Sequence, residues 1–401
     1  MRFNALHPRL PISVLPRVAA MLAASAFAIA LHSAAEAAEK LGAYPADASQ
    51  VSVAGISSGA FMANQLHIAH SADIMGAAMI AGGLYGCAVD AVEDDGVVAL
   101  ASQAVGPCLK VPFLLDEPSD YKKLVDKLAA KRWIDAPANI AHAKIYLFTG
   151  SSDDVVDSET VAKGKALYSL LGVPDANVVF EDRTGPAAKA GHSWVTLSYG
   201  GSCDANKAPY IDACAYDQAG AELKAIYGQD LKAPTSVAAG QVVPFDQKEF
   251  VPGKAAAANG LSDTGYLYVP PGCAAGAGNA CRLHVVLHGC QQSAEILGDV
   301  FYKNIGVNEW ADANNILVLY PQAQCDDALR IAAQPLGDGA RQRQSRGVLE
   351  LVGLQRRPAV PDEEGGSGDG FMEDDPAHRG KIRRRSDQPP EPRAMPRIRP
   401  S

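Results

Sequence analysis

The stretch Val51-Ser52-Val53-Ala54-Gly55-Ile56-Ser57-Ser58-Gly59 joins a short apolar run to a helix-like segment that begins at Ala60. Its last five residues read Gly-x-Ser-x-Gly. Between a strand and a helix, such a box is the nucleophile elbow of a serine hydrolase, where a sharp turn between small residues lifts one hydroxyl clear of the backbone. The pattern predicts Ser57 as a nucleophile and the N–H of Ser58 as an oxyanion donor. An ordinary Gly/Ser turn is the alternative, and the strand-turn-helix context favours the elbow.

The first 37 residues have the composition of a secretory signal peptide. Arg2, Arg9 and Arg17 precede an apolar run over residues 18–31, and the small-x-small sequence at 35–37 fits a cleavage site. A membrane anchor is the alternative, but the run is shorter than the ~20 residues that a span needs. We therefore expect an exported protein, secreted or periplasmic, with a mature chain that begins near Ala38 and has no further membrane span.

The composition narrows the class of protein. The chain has 401 residues, of which 48% are hydrophobic and 20% charged, enough for one large domain or two small ones. A net charge of −9 argues against nucleic-acid binding. Because no Cys-x-x-Cys or His/Cys cluster has zinc spacing, no metal site is predicted.

Eight cysteines fit an oxidising compartment, where disulfides form. Spacing alone does not fix their connectivity. Pairs that are close in sequence could each close a loop: Cys203/Cys214, Cys273/Cys281 and Cys87/Cys108.

Short runs rich in Val, Ile and Leu alternate with helix-like segments along the chain. Strands are predicted at 51–54, 76–81, 144–149, 178–181, 283–287 and 316–320, and helices at 60–70, 119–132, 158–171, 217–227 and 307–314. Residues 232–260 suggest a connection or a hairpin. This alternation predicts an α/β fold, with a mostly parallel sheet and helices on both faces. Such sheets carry active sites on loops at the carboxyl ends of their strands.

A nucleophilic serine needs a base, and the base needs an orienting acid. The predicted strand 144–149 ends in Gly150-Ser151-Ser152-Asp153-Asp154-Val155-Val156, a frequent site for the acid in α/β-hydrolases. Asp153 has the better register and Asp154 is the alternative. Either aspartate could instead cap the next helix.

His192 is the best base among nine histidines, because it lies in a Gly-preceded loop after a predicted strand, downstream of serine and acid. The order Ser57, Asp153, His192 is that of the α/β-hydrolases. In most such enzymes the oxyanion loop precedes the nucleophile, but here the resembling segment, residues 283–293, comes last. This order implies a circularly permuted sheet, with a backbone N–H near Cys290 as the second oxyanion donor.

Three segments in this order, Gly-Ile-Ser-Ser-Gly at 55–59, Gly-His-Ser-Trp at 191–194 and Leu-His-Gly-Cys-Gln-Gln-Ser at 287–293, resemble the circularly permuted poly(3-hydroxybutyrate) depolymerases. The resemblance covers roughly residues 51–322. It implies a secreted serine esterase with Ser57 as nucleophile, Asp153 as acid, His192 as base and the N–H groups of Ser58 and Cys290 as oxyanion hole. Its substrate would be a polyester or oligoester, and no metal or organic cofactor is required. Many relatives have Cys where this chain has Ile56.

The composition changes abruptly near Cys325. Residues 40–329 contain 16 Lys and 3 Arg, whereas residues 330–401 contain 1 Lys and 13 Arg. Residues 348–354, Val-Leu-Glu-Leu-Val-Gly-Leu, can be encoded so that a shift of one base reads Cys-Trp-Ser-Trp-Trp-Gly-Tyr. That sequence resembles a stretch of the family that is missing here. We therefore interpret 1–37 as signal peptide, 38–325 as catalytic domain, and 326–401 as a disordered tail translated out of frame. A natural disordered tail with a basic patch at 381–385 is the alternative.

Two other functions remain open from the sequence. One is an esterase of another specificity, such as a feruloyl or acetyl-xylan esterase, which would share the triad. The other is an exported binding protein that uses the hydrolase fold without catalysis.

Overall fold

The structure is a computed structural model that describes residues 38–88, 103–183, 185, 187–251, 256, 260–278 and 280–324. The predicted signal peptide (1–37) and the predicted tail (326–401) lie outside these ranges, as does Cys325.

A large sheet of eight strands organises the described part of the chain, in the order β4-β3-β2-β1-β10-β11-β9-β8. The first six strands in this order are parallel to one another, β9 runs antiparallel to β11, and β8 is antiparallel to β9. A small second sheet has the order β5-β7-β6. The strands are β1 (Ala46–Ile56), β2 (Ile74–Ile80), β3 (Lys144–Thr149), β4 (Val178–Asp182), β5 (Trp194–Thr196), β6 (Gly201–Ser202), β7 (Ile211–Ala213), β8 (Gln241–Asp246), β9 (Thr264–Val269), β10 (Cys281–Leu287) and β11 (Ile316–Tyr320).

Helices cover both faces of the sheet, because side chains along a strand alternate between its faces. In β1, Val51 and Val53 belong to one apolar core, whereas Ala54 and Ile56 belong to the other. Burial of each such side chain contributes about 1.5–3 kcal/mol for the larger residues. The first core includes side chains of α1 (Ser58–Ala69), α2 (Pro118–Ala130) and α3 (Ser158–Leu170), and the second includes those of α4 (Gln218–Tyr227), α6 (Val300–Asn304) and α7 (Val307–Asn314). A short α5 (Ala294–Leu297) precedes α6.

The predicted fold class is confirmed: a mostly parallel sheet lies between two layers of helices. Every predicted strand and helix is present, and 144–149 and 316–320 have the predicted bounds. The region 232–260 contributes β8, which forms a hairpin with β9. The sequence did not predict β9, the small sheet, or α5 and α6. Among the described strands, β1 before Ser57 comes first along the chain and β10 before Cys290 comes last but one, and the circular permutation itself stays a prediction.

Three disulfides close the loops that sequence proximity suggested: Cys87–Cys108, Cys203–Cys214 and Cys273–Cys281. In the described residues Cys290 is a free and exposed thiol.

The six parallel strands place their carboxyl ends at one edge of the sheet, which we call the carboxyl edge. Ser57 follows β1, Asp153 follows β3, His192 follows β4 and Cys290 follows β10. Within the described ranges, no helix is long and apolar enough to cross a membrane. Nor do three or more His, Cys, Asp and Glu side chains of this part of the chain form a group that could hold a metal ion.

Candidate active site

Ser57 occupies a strained turn between β1 and α1. Its φ of 55° and ψ of −123° place a non-glycine residue in a sparsely populated backbone region, as expected of a nucleophile elbow. The turn is tight because a Cβ on Gly55 would lie 2.3 Å from the carbonyl oxygen of Gly59, and a Cβ on Gly59 would lie 2.3 Å from that of Leu287. Glycine at both positions therefore permits the close approach of β1, α1 and β10.

The backbone around Ser57 leaves a donor available. The N–H of Ser57 donates to the carbonyl of Ile80 at 2.9 Å, and the carbonyl of Ser57 accepts from the N–H of Phe61 at 3.1 Å. Ser58 is the first residue of α1, and the first N–H groups of a helix have no intrahelical acceptor. The N–H of Ser58 is therefore free of the helix ladder, beside a half-buried Ser57.

Asp153 and His192 form a hydrogen-bonded pair beyond the ends of β3 and β4. Nδ1 of His192 lies 3.0 Å from Oδ2 and 3.2 Å from Oδ1 of Asp153, and both side chains are buried. The N–H groups of Val155 and Val156 donate to Oδ1 of Asp153 at 2.8 and 2.9 Å. These two bonds orient the carboxylate, so the pairing falls on Asp153 rather than on the adjacent Asp154.

The loop after β10 lies directly against the elbow. A Cβ built on Gly289 would lie 3.1 Å from Cβ of Ser57. One residue further on, the Sγ of Cys290 lies 3.4 Å from Oγ of Ser58. Both predicted oxyanion residues are therefore neighbours of each other and of Ser57.

His288 fixes the peptide between Gly289 and Cys290. Nε2 of His288 accepts from the N–H of Ala323 at 3.0 Å, so the ring proton is on Nδ1, which donates to the carbonyl of Gly289 at 2.8 Å. Burial lowers the pKa of His288, which favours the neutral ring that this pattern needs. In a trans peptide the N–H points opposite to the C=O, so His288 sets the direction of the Cys290 N–H.

Gln292 connects this loop to the segment beside His192. Its Oε1 accepts from the N–H of Gly289 at 2.8 Å, and its Nε2 donates to the carbonyls of Pro209 and Tyr210, both at 3.0 Å. The ring of Tyr210 lies edge-on to that of His192, with centroids 5.9 Å apart. Gln292, which is buried, therefore joins the neighbourhood of Ser57 to that of His192.

The structure gathers all five predicted site residues at the carboxyl edge: Ser57, Ser58, Asp153, His192 and Cys290. Sequence reasoning assigned no role to His288 or Gln292, although both stand in the segment that carries the family resemblance. Their contacts reach residues 35 and 82–83 positions away. The available signal was that His288 follows directly on the apolar strand residues 285–287 and that Gln292 comes four residues later in that segment.

The polyhydroxybutyrate depolymerase of Talaromyces funiculosus is 39% identical over 310 residues, which cover 74% of this chain and 81% of that protein. The chain belongs to the polyhydroxybutyrate depolymerase family. The poly(3-hydroxybutyrate) depolymerase of Delftia acidovorans is 36% identical over 307 residues, which cover 76% of this chain but only 58% of that longer relative. No family model matches the chain.

Solved structures of depolymerases share the fold. The crystal structure of PHB depolymerase from Penicillium funiculosum has a TM-score of 0.65 and 32% identity, and the match covers 78% of this chain and 97% of that one. A PHB depolymerase with one serine replaced by alanine, in complex with an R3HB trimer, matches with the same values. The large sheet of this chain is therefore the depolymerase scaffold.

Proposed function

We propose that this protein is a serine esterase that hydrolyses the ester bonds of poly(3-hydroxybutyrate) or related polyhydroxyalkanoates through an acyl-enzyme. The observation that carries the proposal is the buried Asp153–His192 pair at the carboxyl edge that also holds the Ser57 turn. Membership of the depolymerase family supports the substrate class.

His192 acts as general base in this mechanism. With Nδ1–H donated to Asp153, Nε2 takes the proton of Ser57 as its Oγ attacks the ester carbonyl. The tetrahedral intermediate then collapses, and the departing alkoxide receives that proton from His192. A water molecule, deprotonated by Nε2, attacks the acyl-enzyme and releases the carboxylic acid, and the proton returns to Ser57. Asp153 holds the imidazole tautomer and stabilises its charged form.

The N–H groups of Ser58 and Cys290 form the oxyanion hole of the proposed reaction. Loss of one such donor costs about 3–4 kcal/mol in the transition state. His288 and Gln292 bind the C=O and the N–H of Gly289, so they hold the loop in one conformation before substrate arrives. Catalysis benefits because no reorganisation is needed during the reaction.

Export to the cell exterior or periplasm is part of the proposal, on the basis of the signal-like residues 1–37 and the three disulfides. The interpretation of 326–401 as an out-of-frame tail is likewise a proposal. The nucleotide sequence tests this interpretation of the tail. The shifted frame over codons 348–354 should encode Cys-Trp-Ser-Trp-Trp-Gly-Tyr, and a shifted frame that does not encode this sequence would refute the out-of-frame origin.

Substrate class is tested by incubating the purified chain and its Ser57→Ala variant with a poly(3-hydroxybutyrate) suspension, an acetylated xylan and a feruloyl sugar ester. We expect soluble 3-hydroxybutyrate products from the parent chain only. Preferential turnover of the carbohydrate esters would assign another esterase specificity. No turnover of any ester by folded protein would favour a binding protein.

A further inference from the structure

The acid and the base of the proposed triad lie on two separate loops, so their geometry depends on what joins those loops. Backbone bonds bring the loops together: the N–H groups of Ser151 and Ser152 donate to the carbonyls of Ala188 and Ala190 at 2.8 and 3.1 Å. Neither of these bonds involves Asp153 or His192 itself. A third segment, the loop between β6 and β7, supplies the remaining connection.

The side-chain amide of Asn206, in that third loop, bonds to both catalytic loops. Its Oδ1 accepts from the N–H of His192 at 2.7 Å and from the N–H of Asp154 at 3.1 Å. Its Nδ2 donates to the carbonyl of Ser152 at 2.8 Å and to that of Asp204 at 3.4 Å. One planar group therefore binds the residues on either side of Asp153 and the backbone of His192.

An amide is the group that this position requires. Two of its partners are backbone N–H donors and two are carbonyl acceptors, so the oxygen and nitrogen of Asn206 are unambiguous and their full hydrogen-bonding capacity is used. A carboxylate would keep the two N–H bonds, but it would put an oxygen against the carbonyl of Ser152. An apolar side chain would lose all four bonds.

Asn206 is itself held in place. The loop that carries it is closed by the Cys203–Cys214 disulfide. The carbonyl of Cys203 accepts from the N–H of Gly191, next to His192, at 2.8 Å, and the N–H of Ala205 donates to the carbonyl of Ser202 at 2.9 Å. Asn206 thus transmits the position of a cross-linked loop to the base and to the acid.

We propose that Asn206 is a positioning residue that fixes Asp153 relative to His192. The expected change in kcat rests on the proposed esterase function. The expected change in the placement of Asp153 relative to His192 does not. Because small errors in the placement of catalytic groups are costly, Asn206→Ala should lower kcat by about 10- to 100-fold with little change in KM.

Asn314→Ala is the matched control. The amide of Asn314 also joins two backbone groups of a remote loop, since its Oδ1 accepts from the N–H of Lys232 and its Nδ2 donates to the carbonyl of Lys232. Asn314 is the last residue of α7 and precedes β11, so it lies at the opposite edge of the sheet from Asn206. Asn314→Ala should lower the melting temperature by a similar amount and leave kcat within about twofold.

Asn206→Asp keeps the shape of the side chain and protects the test against a variant that does not fold. It should lose less kcat than Asn206→Ala. Its negative charge near His192 favours the imidazolium, so the acidic limb of the kcat/KM profile should move to higher pH. A residue that acted only on global stability would not move that limb.

Proton NMR of protein labelled with ¹⁵N-histidine gives a readout that needs no turnover. The Nδ1–H signal of His192, identified by its loss in His192→Ala, should be present in the parent chain and in Asn314→Ala, and broadened or absent in Asn206→Ala. An unchanged signal together with unchanged kcat in folded Asn206→Ala overturns the inference. If the parent chain hydrolyses no ester, the esterase proposal fails, and the NMR comparison alone then decides the role of Asn206.

Discussion

The molecule contains two groups of serine, histidine and carboxylate side chains, one buried between β1, β10 and α4 and one at the carboxyl edge of the sheet. In the first, Ser52 of β1 contacts Nδ1 of His284 in β10 at 2.7 Å, and Nε2 of that histidine lies 3.6 Å from Glu222 of α4. The second is the group at the carboxyl edge: Ser57, which follows the end of β1, with Asp153 and His192. Both groups contain a serine, a histidine and a carboxylate, and we propose that only the second acts on a substrate.

The difference lies in backbone and solvent access. Ser52, His284 and Glu222 are fully buried, and Ser52 sits in β1, which pairs with β2 on one side and with β10 on the other. Its Oγ is also bound to the hydroxyl of Tyr227 at 2.6 Å. Ser57 instead stands in a strained turn with free helix N–H groups beside it. A triad therefore needs the elbow and the oxyanion donors as much as the three side chains.

The largest expected effect separates the two serines. Ser57→Ala should lower kcat for ester hydrolysis by about 10⁶-fold, because the nucleophile is lost. Ser52→Ala should leave kcat within about twofold. It should lower the free energy of unfolding by about 1–3 kcal/mol, since it removes a partner of His284 and Tyr227 inside the core. Steady-state kinetics and urea titration of both variants measure kcat and the free energy of unfolding. Comparable losses of kcat in the two variants would contradict the assignment of different roles to the two serines.

A second comparison separates neighbouring aspartates. Asp153→Asn should lower kcat by about 10⁴-fold, because an amide no longer selects the required tautomer of His192. Asp154→Asn should leave kcat within about threefold, since its side chain is not the one paired with His192. A larger loss at Asp154 would transfer the acid role to that residue.

The loop beside the elbow gives a smaller effect. His288→Ala should lower kcat by up to about 10²-fold with KM little changed, because the Cys290 N–H loses its fixed direction while its peptide remains. His67→Gln is the control: His67 is also fully buried, but its Nδ1 contacts the hydroxyl of Tyr168 on α3. The control should lose melting temperature rather than kcat. Equal kcat in His288→Ala and the parent chain would remove His288 from the site.

The smallest expected effect is the pH dependence of the free energy of unfolding that arises from Glu222 in the buried group. Burial raises the pKa of Glu222 above its usual 4.5, partly offset by His284. A carboxyl with a raised pKa in the folded state binds its proton more tightly there than in the unfolded chain. The resulting stability is present below pH 4.5 and is lost as pH rises through the folded pKa.

Glu222→Gln mimics the protonated carboxyl and has no such loss. The free energy of unfolding of the parent chain, relative to this variant, should therefore decline as pH rises from 4.5 to 8 in urea titrations. A difference that stays constant or grows with pH would contradict the assigned shift.

The sequence predicted much of the fold because its signals are local. The runs at 144–149 and 316–320 are continuous and apolar, and glycines and helix-like segments bound them. The sequence analysis did not assign β8 as a separate strand because Pro244 interrupts it. A proline is tolerated there since β8 lies at the sheet edge. The strands of the small sheet have only two or three residues, too few to show a period.

The site was predictable where a motif carries the chemistry. Gly-x-Ser-x-Gly identified Ser57, and the order along the chain identified candidates for acid and base. The register after β3 favoured Asp153 over Asp154 as the acid, and the coordinates show that Asp153 is the one that contacts His192. The contacts of Asn206 with Ser152 and His192 span 54 and 14 residues, and no local pattern encodes them.

The most direct test of the account is labelling of the folded chain with a fluorophosphonate probe, followed by peptide mass spectrometry. We expect one labelled serine, Ser57, with Ser52 and Ser58 unmodified. Labelling should be at least 100-fold slower in His192→Ala, because the serine is unactivated without its base. Absence of label from folded protein, or equal labelling rates with and without His192, would contradict it.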